Sequence, residues 1–445
     1  MLQTLKNAIT TPEIRKKLLF TLAIMAVYLI GCVVPIPGIN PVAITQMVGN
    51  DSSGFLQMFS AITGNAFQNG TLFSLGIIPF INSFIIMQLL TLIIPKLERL
   101  SKEGEDGRKK LTQYTRYVAI LLAIVQSVGV MFAWKDAITS IFGDADVANS
   151  AGQIFTMIFV VIILTGGSSL VMWLSERITE HGIGNGSSII IFVGIIGGLG
   201  NSIWNAMAVT IPNQLRNGDS TGIFFLLGFF LLVVILFFFI VFVDMAERKI
   251  LVQYAKQVKG NKMYGGQSTF IPIKVNAGGV MPIIFASSLI MFPQMIIQFA
   301  GAGASKFGQW WGTWIGANGN LYPLIMFIMI IFFAYFYSQI QFNPDDVSRM
   351  LQQNGGFIPG IRPGKATGMH LRKINNRLVL FGALFLGVVA LVPALILQRV
   401  PGFTTLGLGS GFSATGLLIV VSVALELQKQ MESQILVKNN KGFLK

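Results

Sequence analysis

The stretch Leu72-Phe-Ser-Leu-Gly-Ile-Ile-Pro-Phe-Ile-Asn-Ser-Phe-Ile-Ile-Met-Gln-Leu-Leu-Thr-Leu-Ile-Ile94 contains no Lys, Arg, Asp or Glu. A helix of this length, rising about 1.5 Å per residue, covers a hydrocarbon layer of about 30 Å. Nine further stretches are equally free of charge: Leu18–Val34, Val118–Trp134, Gly152–Leu174, Gly186–Met207, Gly222–Val243, Ala277–Ala300, Leu321–Phe342, Leu378–Leu397 and Leu406–Leu425. All 32 basic and 18 acidic residues fall between them. One charge at a helix centre costs about 2.5–3.5 kcal/mol on insertion scales, so uncharged segments enter lipid readily. With 53% hydrophobic and 11% charged residues, the chain carries more apolar surface than water tolerates. The expectation is an all-α polytopic membrane protein with ten transmembrane helices.

The net charge of +14 is distributed unevenly. Loops on the N-terminal side of the ten crossings hold 28 Lys and Arg against 13 acids; the opposite loops hold 4 against 5. The positive-inside rule then places both termini in the cytoplasm. The basic start before Leu18–Val34 has the look of a signal peptide. Val34-Pro-Ile-Pro-Gly38 follows instead of a small-x-small cleavage site, so an uncleaved first span is expected. Cys32 is the only cysteine, which excludes disulfides within the chain and cysteine-based metal sites; it reads as a small buried hydrophobe.

Ten spans divide as five plus five, residues 1–220 and 221–445. An odd number of crossings turns the second half over, so an internal repeat would be inverted in the membrane. The second span of each half is interrupted alike: Gly76-Ile-Ile-Pro79-Phe-Ile81 and Gly279-Val-Met-Pro282-Ile-Ile284. Proline frees a backbone carbonyl, which in lipid needs a partner inside the protein. Ile77 and Ile81 are four apart and share a helix face, and Ile81 and Ile284 occupy the same place in the two repeats. Between spans one and two, Gly54–Gln68 is too short to cross; Phe55, Met58, Phe59 and Ile62 form the stripe of an amphipathic helix. A helix lying on the outer surface would satisfy the stripe, but the wet face of such a helix normally carries charge, and this one has none. A helix tucked into the protein satisfies it too.

No catalytic constellation is present. Proton pumps and intramembrane proteases place Asp, Glu or His within their spans, and here His181 and His370 both fall in loops. Gly364-Lys365-Ala366 resembles the end of a phosphate-binding loop, but Ala366 replaces the hydroxyl and Pro359 the first glycine. Neither an enzyme nor a cofactor is expected, and anything crossing would be driven by a partner or by the membrane potential.

Seven segments in order resemble the bacterial SecY family of protein-conducting channels over essentially the whole chain. They are Val34–Gly38, Gly76–Pro79, Glu103–Arg108 running into Gln113–Tyr117, Ile178–Gly186, Val275–Pro282, Phe342–Pro344 and Pro359–Gly364. The resemblance implies an hourglass pore between two inverted five-helix halves, with a side exit into lipid between spans two and three on one wall and seven and eight on the other. It implies a constricting ring at Ile77, Ile81, Ile191, Ile284 and Ile419. Ser187 stands at a ring position that usually holds Ile, where its hydroxyl either hides on the Ile183 carbonyl or leaves the ring wider and wetter. The family's plug falls on residues 54–68, including Phe55, Met58, Phe59 and Ile62. Asn82, Gln126 and Asn276 are the implied polar stitches of the side exit, for which ordinary interhelical hydrogen bonds are the alternative. The basic loops 244–276 and 343–377, with Arg248, Lys249, Lys256 and Arg362, are the implied docking site for the SecA motor ATPase or the ribosome. Membrane subunits SecE and SecG, preprotein or signal-peptide substrate, and lipid complete the implied partners, in a bacterial cytoplasmic membrane. A small-solute transporter and a lipid scramblase or scaffold are the rival classes. The first normally needs an intramembrane carboxylate or a binding cavity, and no such carboxylate is present.

Overall fold

A computed structural model describes residues 10–49, 55–134, 137–138, 151–216, 220–254, 257–259, 262–264, 268–276, 278–279, 281–299, 305–316, 319, 321–400, 402–403, 406 and 414–441. In chain order the helices are α1 (Pro12–Gly31), α2 (Pro41–Gly49), α3 (Phe55–Ile62), α4 (Ile78–Ile93), α5 (Pro95–Lys102), α6 (Glu105–Ala133), α7 (Ala151–His181), α8 (Gly186–Asn205) and α9 (Ile211–Arg216). A π-helical turn, Ala206–Thr210, joins the last two. They continue as α10 (Thr221–Asp244), α11 (Met281–Phe299), α12 (Lys306–Trp314), α13 (Tyr322–Gln341), α14 (Pro344–Gln353), α15 (Lys365–Arg399) and α16 (Ala414–Lys441). Each of the ten uncharged stretches carries a helix: α1, α4, α6, α7, α8, α10, α11, α13, α15 and α16.

Among the described residues, six helices are long and apolar enough to cross a bilayer alone. The others depart for local reasons. α1 begins with Glu13, Arg15, Lys16 and Lys17, and α16 carries charge from Glu426 onward. α4 has 16 residues, about 24 Å of helix, because it starts only at Ile78. The single span expected over Leu72–Ile94 is therefore half corrected: residues 72–77 are turns, buried except for the partly covered Leu72. At its far end α4 meets α5 at a bend of 102°. α11 likewise starts late, at Met281. The cause is the repeated motif. Gly76 and Gly279 both adopt the left-handed conformation, φ 55° and 57°, and each helix begins two residues later with its proline at the second position, where no intrahelical donor is needed.

α4, α6, α7, α8 and α1 pack on one another, as do α10, α11, α13, α15 and α16. The two groups meet along two seams, α11 against α4 and α6, and α16 against α8 and α1. One large apolar cluster runs through the centre and draws on both groups. Outward, α10 exposes Phe224, Leu227, Leu231, Val234 and Phe238, a face suited to acyl chains.

The loops between α10 and α11 and between α13 and α15 are not helical connections alone. β1 (Glu247–Tyr254), β2 (Gln257–Lys259), β3 (Lys262–Tyr264) and β4 (Ser268–Lys274) form an antiparallel ribbon, and β5 (Gly356–Phe357) pairs with β1 through Gln253 and Phe357. Ile250, Val252 and Ile273 share a small core with Leu351, Ile358 and Leu371. The all-α expectation missed this platform, which fuses the two basic loops into one unit.

Glycine spacing gives a stability test. A Cβ at Gly167 of α7 would overlap the Leu72 carbonyl, whereas one at Gly166 meets nothing within 4 Å. Gly167→Ala is expected to destabilise the purified protein by about 1–3 kcal/mol, as overpacking does. Gly166→Ala should be neutral or stabilising by up to about 1 kcal/mol. Thermal unfolding in detergent distinguishes them.

Candidate functional site: an apolar centre with a buried segment

Ile77, Ile81, Ile191, Ile284 and Ile419 come from four different helices or their starts, yet all five lie in the central cluster and none is more than 7% exposed. Ile77 is the residue before α4, and Ile81 follows one turn later, its N–H donating to the Ile77 carbonyl at 3.1 Å. The break beneath them is sealed from inside: Ser168 Oγ of α7 donates to the Gly76 carbonyl at 3.3 Å. Ile284 lies in the first turn of α11, Ile191 within α8 and Ile419 within α16. Ser187 is half-buried. Its hydroxyl does not reach the Ile183 carbonyl; it donates to Asn185 Oδ1 at 2.8 Å, and that same oxygen caps the start of α8 through the Ser187 N–H. The cap keeps the hydroxyl occupied at the helix end.

α3 sits against this centre. Phe55 and Phe59 of its stripe are fully buried, Met58 and Ile62 half-buried. Leu56 and Ser60, off the stripe, are buried as well, so the helix is enclosed on more than one side, which a single-face pattern does not reveal. Gly54 lies outside the described residues. An aromatic chain runs Phe55, Phe59, Phe67, Trp134 with centroid spacings of 5.9, 5.0 and 5.0 Å. Met291 and Met295 of α11 close the cluster from the other helix group. Met58 packs against both this cluster and the central one, and its sulfur accepts from the Tyr322 hydroxyl at 3.4 Å. The segment after α3 rests on the glycines of α8: Gly64, at φ 68°, lies so near Gly194 that a Cβ on Gly194 would be 2.8 Å from the Ile62 carbonyl.

At the seam of α4 and α6 with α11, Asn82 and Gln126 are buried. Among the described residues neither polar atom of the Gln126 amide has a partner, a cost of about 1–3 kcal/mol per group. Asn276 is elsewhere engaged: its Nδ2 donates to Asp244 Oδ1 at 2.6 Å. Among the described residues no hydrogen bond joins the three expected stitches. The contacts across this seam are apolar, among them Phe84 on Phe285 at 6.4 Å, while Ser83 Oγ ties α4 to the Thr115 carbonyl of α6 at 2.6 Å.

On the platform, Arg248 and Lys249 are exposed on β1, the latter 3.5 Å from Glu247. Arg362 is exposed on a turn between Gly360 and Gly364, both at positive φ, and its carbonyl accepts from Thr367 Oγ1 at 2.9 Å. Lys256 lies outside the described residues. Among the described residues no group of His, Cys, Asp or Glu could hold a metal.

A multi-pass helical membrane protein whose uncharged interior gathers five buried isoleucines into one central cluster, with a further helix seated against it, has the architecture of a channel. The SecY family model matches residues 71–428. Over the full length of both chains, the sequence is 41% identical to the protein translocase subunit SecY of Streptomyces galbus and to that of Mycobacterium tuberculosis (strain ATCC 25618 / H37Rv). A structure described as that of a protein-conducting channel aligns with TM-score 0.65 at 20% identity, covering 94% of this chain and 91% of the other. Sec61 in a canine ribosome–channel complex aligns with TM-score 0.60 at 18% identity over 94% and 91%. The chain belongs to the SecY family, and it is accordingly a protein translocase subunit, a channel component rather than an enzyme.

The seat of the 55–64 segment offers a direct measurement. Gly194→Val forces its side chain into the Ile62 backbone, whereas Gly200 has open space around it. In a Cys32→Ser background, a cysteine replacing the buried Ser60 is expected to react with thiol reagents several-fold faster when Gly194→Val is added. Gly200→Val should leave the rate unchanged.

Proposed function

We propose that the chain is the central pore-forming subunit of a preprotein translocase in a bacterial cytoplasmic membrane, with both termini in the cytoplasm. Residues 1–220 and 221–445 form two inverted halves around the pore, a reading supported by the matched glycine conformations at Gly76 and Gly279. The convergence of Ile77, Ile81, Ile191, Ile284 and Ile419 on one buried cluster carries the proposal. A narrow apolar constriction excludes ions by dewetting, and it yields to a polypeptide of any sequence because it makes no specific bonds. The 55–68 segment fills the pore on one side of the ring. Its side chains pack mainly by dispersion, and its hydrogen bonds to neighbours, such as Gln57 Nε2 to the Val48 carbonyl at 3.3 Å and the Tyr322 hydroxyl to Met58 sulfur at 3.4 Å, are between neutral groups, so they break and re-form without leaving a buried charge.

Apolar helices leave sideways at the seam of α4 and α6 with α11, where Asn82 and Gln126 lie buried. The unpaired Gln126 amide makes the closed seam less stable than an apolar one, and polar groups of an entering segment relieve it. The platform of β1, β4 and β5 with its Arg248, Lys249 and Arg362 receives the driver, either the SecA ATPase or a translating ribosome whose RNA phosphates would make binding salt-dependent. SecE and SecG would pack on the lipid-facing helices.

Vesicles carrying the chain with its membrane subunits are expected to take up an unfolded preprotein when given SecA and ATP. Absence of uptake, with a small solute or lipid moved instead, would favour the transporter or scramblase class. In the same vesicles, Ile81→Ser combined with Ile284→Ser is expected to let small ions through at rest. Conductance equal to that of the parent would remove the ring from the account.

A further inference from the structure

The ribbon leaves α10 at Asp244 and enters α11 after Asn276, and its two ends are fastened together. Asn276 Nδ2 donates to Asp244 Oδ1 at 2.6 Å, and Val275 N–H donates to the Ala246 carbonyl at 3.0 Å. A third helix joins: Lys429 Nζ of α16 donates to the Asp244 main-chain carbonyl at 2.8 Å. A fourth presses on the knot, because Gly382 of α15 lies so close to the Val275 carbonyl that a Cβ there would be 2.5 Å from it. Between Asn276 and α11, Gly278 is wedged. A Cβ on Gly278 would be 2.9 Å from Pro282 and 3.5 Å from the Tyr337 ring. Lys274 attracts and Glu426 repels the Asp244 carboxylate, while Glu247 and Glu432 attract and Lys274 repels the Lys429 ammonium. Burial pushes the Glu426 carboxyl up and the Lys429 ammonium down, as expected for charges withdrawn from water.

Such a cluster contributes little net stability over apolar packing, but breaking one partner leaves a costly unpaired group. Its geometric consequence is rigidity: the base of the ribbon cannot shift without moving the start of α11 at Met281, and Ile284 lies in that first turn, eight residues past Asn276. We propose that Asp244, Asn276 and Lys429 are positioning residues that form a coupling joint, transmitting displacement of the docked platform to α11 and so to the ring. The proposal rests on the docking reading of the platform. It assigns Asn276 to the joint instead of the side exit, and gives Asp244 and Lys429 a role in transport although neither faces the ring cluster.

The test uses vesicles holding the channel with its membrane subunits, and reads preprotein uptake against SecA concentration. Asp244→Leu and Asn276→Leu are expected to lower maximal uptake about tenfold, the factor corresponding to one charge-assisted hydrogen bond, with the half-saturating SecA concentration unchanged. Asp244→Glu should retain most of the rate. In an Asp244→Leu, Cys32→Ser chain, a disulfide between Ala246→Cys and Val275→Cys should restore uptake when formed and lose it on reduction, separating a mechanical joint from misfolding. Normal uptake in both leucine variants overturns the joint. So does a disulfide that fails to rescue, or an Asp244→Leu variant that raises the half-saturating concentration. Arg362→Glu is the arm for the docking reading: it should raise that concentration. If it does not, the docking reading falls and the joint with it; if it does while Asp244→Leu is silent, only the joint falls.

Discussion

In hydrocarbon a backbone carbonyl without a donor costs several kcal/mol, so a helix can be interrupted at membrane depth only where the protein itself supplies the donor. The Gly76 carbonyl and its Ser168 hydroxyl meet that condition, and much of the molecule follows from it. Because the chain is permitted to turn at Gly76, α4 starts at Ile78 inside the bundle instead of at its edge. Residues 72–77 fill the remaining depth as turns, closely packed on Gly167. The same break at Gly279 starts α11 at an equivalent point. Two helix starts buried in the interior bring Ile77, Ile81 and Ile284 to its middle, where α8 and α16 add Ile191 and Ile419.

The ten helices are legible in the sequence because the signal is an exclusion: fifty opportunities for a charge to fall inside a span, and none does. The interruptions are legible for a related reason, since Gly-x-x-Pro alters the backbone and not only the side-chain pattern. The α3 helix is visible from Phe55, Met58, Phe59 and Ile62, but the burial of Leu56 and Ser60 is not, because a helix enclosed by its surroundings has no need of a stripe. Ser187 could have been placed correctly from Asn185, a favoured residue at a helix start whose side chain takes a nearby donor. The ribbon was harder. Ile250 and Val252 alternate as a strand should, but over only a few residues within a basic loop, and β5 lies about a hundred residues away along the chain. Asn276 shows the limit most plainly. Its residue type asks for a hydrogen bond without saying with whom, and tertiary packing put Asp244 beside it.

The two seams between the helix groups are built differently, and the difference bears on how such a bundle can open. Where α16 meets α1 and α8, Ile14 and Ile183 pack with Leu18, Leu427 and Met431, and Lys17 reaches Gln434 at 3.4 Å. Gly184 also sits tightly against Leu427. Where α11 meets α4 and α6, an aromatic contact of 6.4 Å lies across the seam and a buried glutamine goes unpaired. An aromatic pair adds about 0.5–1.5 kcal/mol beyond its burial, which the orphaned amide offsets. A bundle pulled apart would part first at the weaker seam and pivot on the other.

The proposed joint at Asp244 lies within the second helix group, that of α10, α11 and α16. It fastens the end of α10 and the chain leading into α11 to the middle of α16, while Phe285 and Ile284, in the first turns of α11, lie among apolar side chains of the central cluster. A rigid end and a yielding middle are what a lever requires: force applied at the platform is not absorbed at the base of the ribbon but appears where contacts are softest. On this view the charges that sequence excludes from the spans are not merely kept out of lipid. In the proposed joint, Asp244 at the end of α10 and Glu426 and Lys429 midway along α16, just past the uncharged stretch ending at Leu425, would set which part of the membrane interior gives way.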